Sequence, residues 1–115
     1  MVNKAVTQAM TSTCFELPGY SITQCLGVVR GVTVRSRGIG FQIVGSLRTL
    51  GGGQITEYMD LCEQTRSEAF DLMVRHAQEL GANAIVGIRY DATEVAKNMT
   101  EVLSYGTAVV VEKSH

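Results

Sequence analysis

Along this chain the apolar positions repeat every second residue, then at helical spacing, and then every second residue again. Ile22, Gln24, Leu26, Val28, Arg30, Val32 and Val34 alternate with Thr23, Cys25, Gly27, Val29, Gly31 and Thr33, which predicts a long β-branched strand after the Pro18-Gly19 turn. Gly27 and Gly31 share one face of it, so a helix or another backbone can approach there, or the strand can bend. Between Gly38 and Leu50, Ile39, Phe41 and Ile43 alternate while Ile39, Ile43, Leu47 and Leu50 keep helical spacing. The helical pattern is the better fit, and Gly51, Gly52 and Gly53 end it as a turn between two helices.

The strongest element is a helix from Thr56 to Leu80. Glu57, Asp60, Gln64, Ser67, Glu68, Asp71, Arg75, Gln78 and Glu79 make its polar stripe, and Met59, Cys62, Ala69, Met73, Ala77 and Leu80 make the opposite one. Gly81 closes it. Tyr58, Leu61, Phe70, Leu72 and Val74 widen the apolar arc beyond what one sheet covers, which predicts a second contact with a neighbouring subunit. Two further strands, from Ala84 to Val95 and from Thr100 to Glu112, form an antiparallel hairpin across a polar loop over residues 96–99. The expected fold is therefore α+β: a small, mainly antiparallel sheet on one long helix plus a shorter helix, in β-α-α-β-β order. Residues 1–12 are expected to be a loosely held arm and 13–115 a single domain.

Charge changes this picture in two places. Four arginines (Arg30, Arg35, Arg37 and Arg48) and no acid lie between Leu17 and Thr56, whereas the helix is mostly acidic. With a net charge of -1 and no aromatic residues interleaved with the arginines, the two halves are expected to pair with each other or across subunits rather than bind nucleic acid. Arg66 is the second place. The wheel puts it on the apolar stripe between Cys62, Ala69 and Met73, and a guanidinium buried there needs a carboxylate, a carbonyl or a bound anion. Glu63, Asp91, an acid of a neighbouring subunit or a small anionic ligand are the candidates, with Tyr58 on a flank of the same helix.

Other chemistry is sparse. Cys14, Cys25 and Cys62 are an odd set without motif spacing, which argues against a disulfide framework and suits a reducing, cytoplasmic setting. No signal segment or membrane-length apolar run is seen. Cys25, Cys62 and His76 are the donors that a zinc- or copper-class metal could use, and their ordinary reading is as small, partly buried side chains. No nucleophile elbow or triad spacing occurs, and Asp91 is the one strand carboxylate placed to act as a base in a small enzyme with an inter-subunit site.

Gly27, Val28 and Val29, Gly52 and Gly53, Tyr58, Arg66 and Ala69, the run from Leu80 through Gly87, Asp91, and Gly106 through Val109 together resemble the YbjQ-like domain family, named for heavy-metal binding. The resemblance implies a sheet packed on a long helix and assembly as a homopentameric ring. Many relatives carry Asp where Asn83 stands, so a ligand that needs that carboxylate is not expected. The expected role is a non-enzymatic, ring-forming small-ligand-binding or scaffold protein using Arg66, Tyr58 and Asp91. Heavy-metal binding through Cys25, Cys62 or His76 is the alternative, and a small enzyme is the third.

Overall fold

A computed structural model describes residues 6–36, 53–97 and 99–114, with the side chains at 36 and 53–58 outside that description. Strand β1 (Tyr20–Ser36) leads to helix α1 (Gly53–Glu79), and then to strands β2 (Ala84–Ala96) and β3 (Met99–Lys113). The sheet is antiparallel with β3 in the centre, in the order β1-β3-β2. Among the described residues the order is thus β-α-β-β. The shorter helix expected over Gly38–Leu50 falls outside them.

Helix α1 ends where the glycine signal placed it. Gly81 takes φ +90°, and the amides of Gly81 and Ala82 donate to the carbonyls of Gln78 and Ala77 at 3.0 and 3.1 Å. This double bond pair is the left-handed stop that a residue without Cβ adopts most easily. Asn83 then locks the helix exit to the sheet. Its Nδ2 donates to the Val111 carbonyl (3.0 Å) and its Oδ1 accepts from the Val111 amide (2.8 Å), a pair of bonds that an Asp, having no donor when ionised, cannot complete.

The even-numbered residues of β3 face α1. Met73, Ala77, Val29, Ile85, Ile88 and Ala108 form the core on that side. Its closest point is Gly31, where an added Cβ would lie 2.1 Å from the Ala69 carbonyl oxygen and 2.5 Å from the Met73 nitrogen. The two glycines of β1 therefore divide the roles expected of them. Gly31 admits the helix backbone, while Gly27 (φ +112°) sits at a break in register between Cys25 and Gly27, where the strand bulges.

On the opposite face, Leu17, Ala84, Val86, Val109 and Val111 make a second cluster, with Met10 and Tyr20 against it. Of the arm expected over residues 1–12, the described part, 6–12, has Thr7, Gln8 and Ala9 exposed and Met10, Thr11 and Ser12 half-buried. Val6 is buried in the helix-side core. Ser12 donates to Ile85 and accepts from Ile88, and Gly87 donates to Cys14 at 2.7 Å, so Thr11 to Cys14 lie along β2, with a single parallel bridge from Thr11 to Ile85. These bonds satisfy backbone groups that the edge of β2 would otherwise leave open.

The core side of β1 contains one polar atom without a partner, the buried Thr33 Oγ1. Replacing Thr33 by Val should stabilise the fold by about 1 kcal/mol, because it removes an unsatisfied hydroxyl. Gly31→Ala should cost about 3 kcal/mol or more, since the methyl meets backbone that cannot move aside. Urea denaturation of the two variants beside the wild type checks both, and a tolerated Gly31→Ala would refute the close approach.

Candidate functional site

Helix α1 lies chiefly against β1, then β3, and barely touches β2. This offset decides where Arg66 goes. Met59, Cys62, Arg66, Ala69 and Met73 follow one another at three- and four-residue steps and share one side of the helix. Ala69 and Met73 are fully buried, yet Met59 is 64% exposed, and Cys62 and Arg66 are exposed too. The stripe thus stays exposed at this end of α1, and residues 89–97 of β2 are exposed throughout. Arg66 is thus not the buried guanidinium expected from the wheel. The angular position was read correctly, but β2 is not underneath, so burial imposes no need for a partner.

The buried-side ion pair belongs to another arginine. Arg35 on β1 bridges to the Glu68 carboxylate and donates through Nε to Thr65 Oγ1 (3.2 Å). Thr65 is itself buried and donates to the Leu61 carbonyl at 2.8 Å. The basic strand and acidic helix therefore pair within the chain at this point, as the charge pattern predicted. Thr65 and Glu68 went unremarked as a pair because their role depends on which helix face β1 meets.

Half-exposed on β2 stands Tyr90, a residue that sequence reasoning passed over. Its partner across the ladder is Ser104, which is fully buried and donates to Met73 Sδ at 3.4 Å. Alternation along β2 turns Tyr90 toward α1 and Asp91 away from it. Asp91, exposed and opposite Leu103, lies on the outer face and does not meet Arg66. The other expected members are scattered. Tyr58 belongs to the first turns of α1, and its side chain is outside the description. Cys25 and Cys62 are free and exposed rather than buried.

His76 accepts the Arg30 backbone N–H through Nδ1 (3.3 Å). It stands 14 residues beyond Cys62 on α1, about 21 Å along the axis at about 1.5 Å per residue. The two cannot share an ion whose ligands lie within about 2.3 Å of it. Among the described residues no group of three or more His, Cys, Asp or Glu is placed to hold a metal. Among them, also, no helix is long and apolar enough to cross a membrane.

Residues 9–112 match the protein-family profile YbjQ_1, described as "Putative heavy-metal-binding". The chain is 57% identical over 103 residues to a UPF0145 protein of Chromobacterium violaceum, covering 90% of this chain and 88% of that one. It is 52% identical over 106 residues to a UPF0145 protein of Solibacter usitatus, covering 92% and 95%. A crystal structure from Pediococcus pentosaceus, of a protein with unknown function in the DUF74 family, is similar in fold, with a TM-score of 0.58 and 22% identity over 89% of this chain and 96% of that one.

Among the described residues Tyr90 carries a clear electrostatic perturbation. Burial pushes its hydroxyl above the ordinary 10.0, Glu63 and Asp71 push the same way, and the Ser104 hydrogen bond and Arg66 pull it back. Spectrophotometric titration of the wild type against Tyr90→Phe should therefore isolate one tyrosine ionising above 10.0, and Ser104→Ala should move it higher still. Because the folded protein holds this proton after the unfolded chain has released it, stability at Tyr90 is intact below pH 10 and declines as pH rises beyond it. A Tyr90 that titrates at or below the ordinary value would contradict this placement.

Proposed function

The chain belongs to the YbjQ_1 family, and from the exposed end of the α1 stripe near Tyr90 we propose that it is a non-catalytic, ring-forming homo-oligomer subunit that holds a small anionic ligand beside Arg66 and Tyr90. The observation that carries this reading is the helix stripe that stays exposed after leaving the sheet. Met59 and Cys62 are exposed there, Arg66 offers a guanidinium that no described side chain engages in an ion pair, and Arg66 acts on the Tyr90 hydroxyl. A few polar groups convergent among apolar side chains are what orients a small molecule in its site. Asp91 and Tyr58 are not part of the proposed site. A general base at Asp91 would act on the other face of the sheet, which speaks against the enzyme reading.

Assembly as a ring has its own support. The outer face of β1 leaves Val28, Val32 and Val34 between 40% and 65% exposed, and apolar patches of this kind in a small domain mark interaction surfaces. Heavy-metal binding is the second reading, favoured by the family's description and by three exposed thiols, Cys14, Cys25 and Cys62. Within one chain these donors do not converge, so a metal would have to join copies.

Anilinonaphthalene sulfonate, an apolar dye with an anionic head, probes this site directly. Its fluorescence should rise on adding wild-type protein, and Arg66→Ala should weaken binding about tenfold, the loss of one charge-assisted contact. Equal binding to both proteins would sink the ligand reading. The metal reading has a separate readout: zinc titrated into the reduced protein should show no saturable site that Cys62→Ser or Cys25→Ser removes, and a stoichiometric site lost in either variant would promote metal binding to first place.

A further inference from the structure

Strand pairing sets one polar row across the face of the sheet that turns away from α1. Tyr105 of central β3 stands opposite Arg30 of β1 on one side and opposite Arg89 of β2 on the other, so two guanidinium groups flank one phenol. The two arginine stems leave the sheet about 10 Å apart, two strand spacings of about 4.8 Å. Both arginines are exposed, and among the described residues neither has a carboxylate within ion-pair reach. The row lies in the middle of β3, well away from its Met99 end.

Arg89 is held in place by neutral groups alone. Its Nη1 donates to the carbonyls of Thr13 (2.9 Å) and Ile88 (2.8 Å), and its guanidinium carbon stands 5.8 Å from the centre of the Phe15 ring. Fixing a cation in this way leaves its charge uncancelled and its other N–H groups without a partner among the described residues. Phe15 itself is 75% exposed. Its ring lies against Gly87, where an added Cβ would come within 3.2 Å of two ring carbons, so the bare backbone of β2 is what lets it settle there. An aromatic ring pinned beside a guanidinium, yet open to solvent over most of its area, is a stacking platform.

The acids on this face limit the size of what can bind. Asp91 lies one row beyond Arg89 and Glu101 two rows beyond Tyr105 toward the far end, and exposed Glu16 follows Phe15. A polyanion laid along the sheet would run onto Asp91 and Glu101 within about 7 to 14 Å, at about 3.4 Å per residue. A single phosphate between the arginines would not. We propose that this row binds a free nucleotide, with its phosphate between Arg30 and Arg89 at the Tyr105 hydroxyl and its base stacked on Phe15. Planar guanidinium forks match phosphate oxygens two at a time, and the ring of Phe15 receives the flat base. The site is on the other face of the sheet from Arg66 and Tyr90, so it stands independently of the ligand reading above. It also leaves Val32 and Val34, farther along β1, to subunit contact.

Isothermal titration calorimetry with adenosine monophosphate tests the site. The wild type should bind it saturably, one per chain, and more tightly than inorganic phosphate or adenosine, each of which lacks half of the contact. Arg30→Gln and Phe15→Ala should each weaken binding about tenfold. Phe15→Tyr keeps a stacking ring and should retain binding, and Arg66→Ala, on the other face, should leave it unchanged. A wild type that does not bind the nucleotide would overturn the proposal, and so would Arg30→Gln and Phe15→Ala proteins that bind as well as the wild type. Inorganic phosphate held as tightly as the nucleotide would remove Phe15 from the site and overturn the nucleotide assignment. A single-stranded oligonucleotide bound more tightly than the mononucleotide would overturn it in favour of a nucleic-acid strand.

Discussion

The approach of α1 to Gly31 sets the rest of this structure. With no Cβ at that position, the Ala69 carbonyl and the Met73 amide lie against the β1 backbone. So held, the helix covers one end of the sheet as far as β2, where Met73 and Ala77 pack with Ile85 and Ile88, while Met59, Cys62 and Arg66 on its other half and residues 89–97 of β2 stay exposed.

The charges obey the same geometry. Arg35 lies two ladder positions beyond Thr33 on the helix-facing side of β1, where α1 passes near enough for Thr65 and Glu68 to receive it. Both partners of that ion pair are more than a third exposed, so its contribution lies in fixing the helix against the strand more than in raw stability. Arg66, one residue along from Thr65 on the helix, is exposed and acts on Tyr90 of β2. One residue, about 100° of rotation, separates the helix position that receives Arg35 from the one that carries Arg66.

Much of this fold was legible in the chain. The strand periods, the Gly81 stop, the hairpin and the abrupt change from helix to strand between Leu80 and Gly87 rest on local rules, and local rules survive folding. The sequence also marked Gly31 as a point of close approach. It did not reveal how far off-centre the helix would lie, because that offset depends on strand order, and strand order is non-local. The same limit explains the site. A helical wheel gives an angle and says nothing about whether a strand lies beneath it, so Arg66 looked buried. Tyr90 drew no notice because an aromatic residue alternating along a strand looks like any other, and only its neighbours Ser104, Glu63 and Arg66 distinguish it. Thr11 to Cys14 carry no periodic signal, and their bonds to β2 are made by backbone groups that every sequence has.

Asn83 shows how a single local choice feeds back on the distant end of α1. Its two hydrogen bonds to Val111 tie the end of α1 to the central strand, on the side chain's own donor and acceptor. Gly31 fixes the middle of the same helix against β1. Two fixed points on a rigid rod determine the direction of its free end, and that end carries Met59, Cys62 and Arg66. An aspartate at position 83 would give up the donated bond and loosen one of the two points. The residue here that departs from a familiar carboxylate thus acts through helix placement, and the chemistry beside the exposed end of α1 falls to Arg66 and Tyr90.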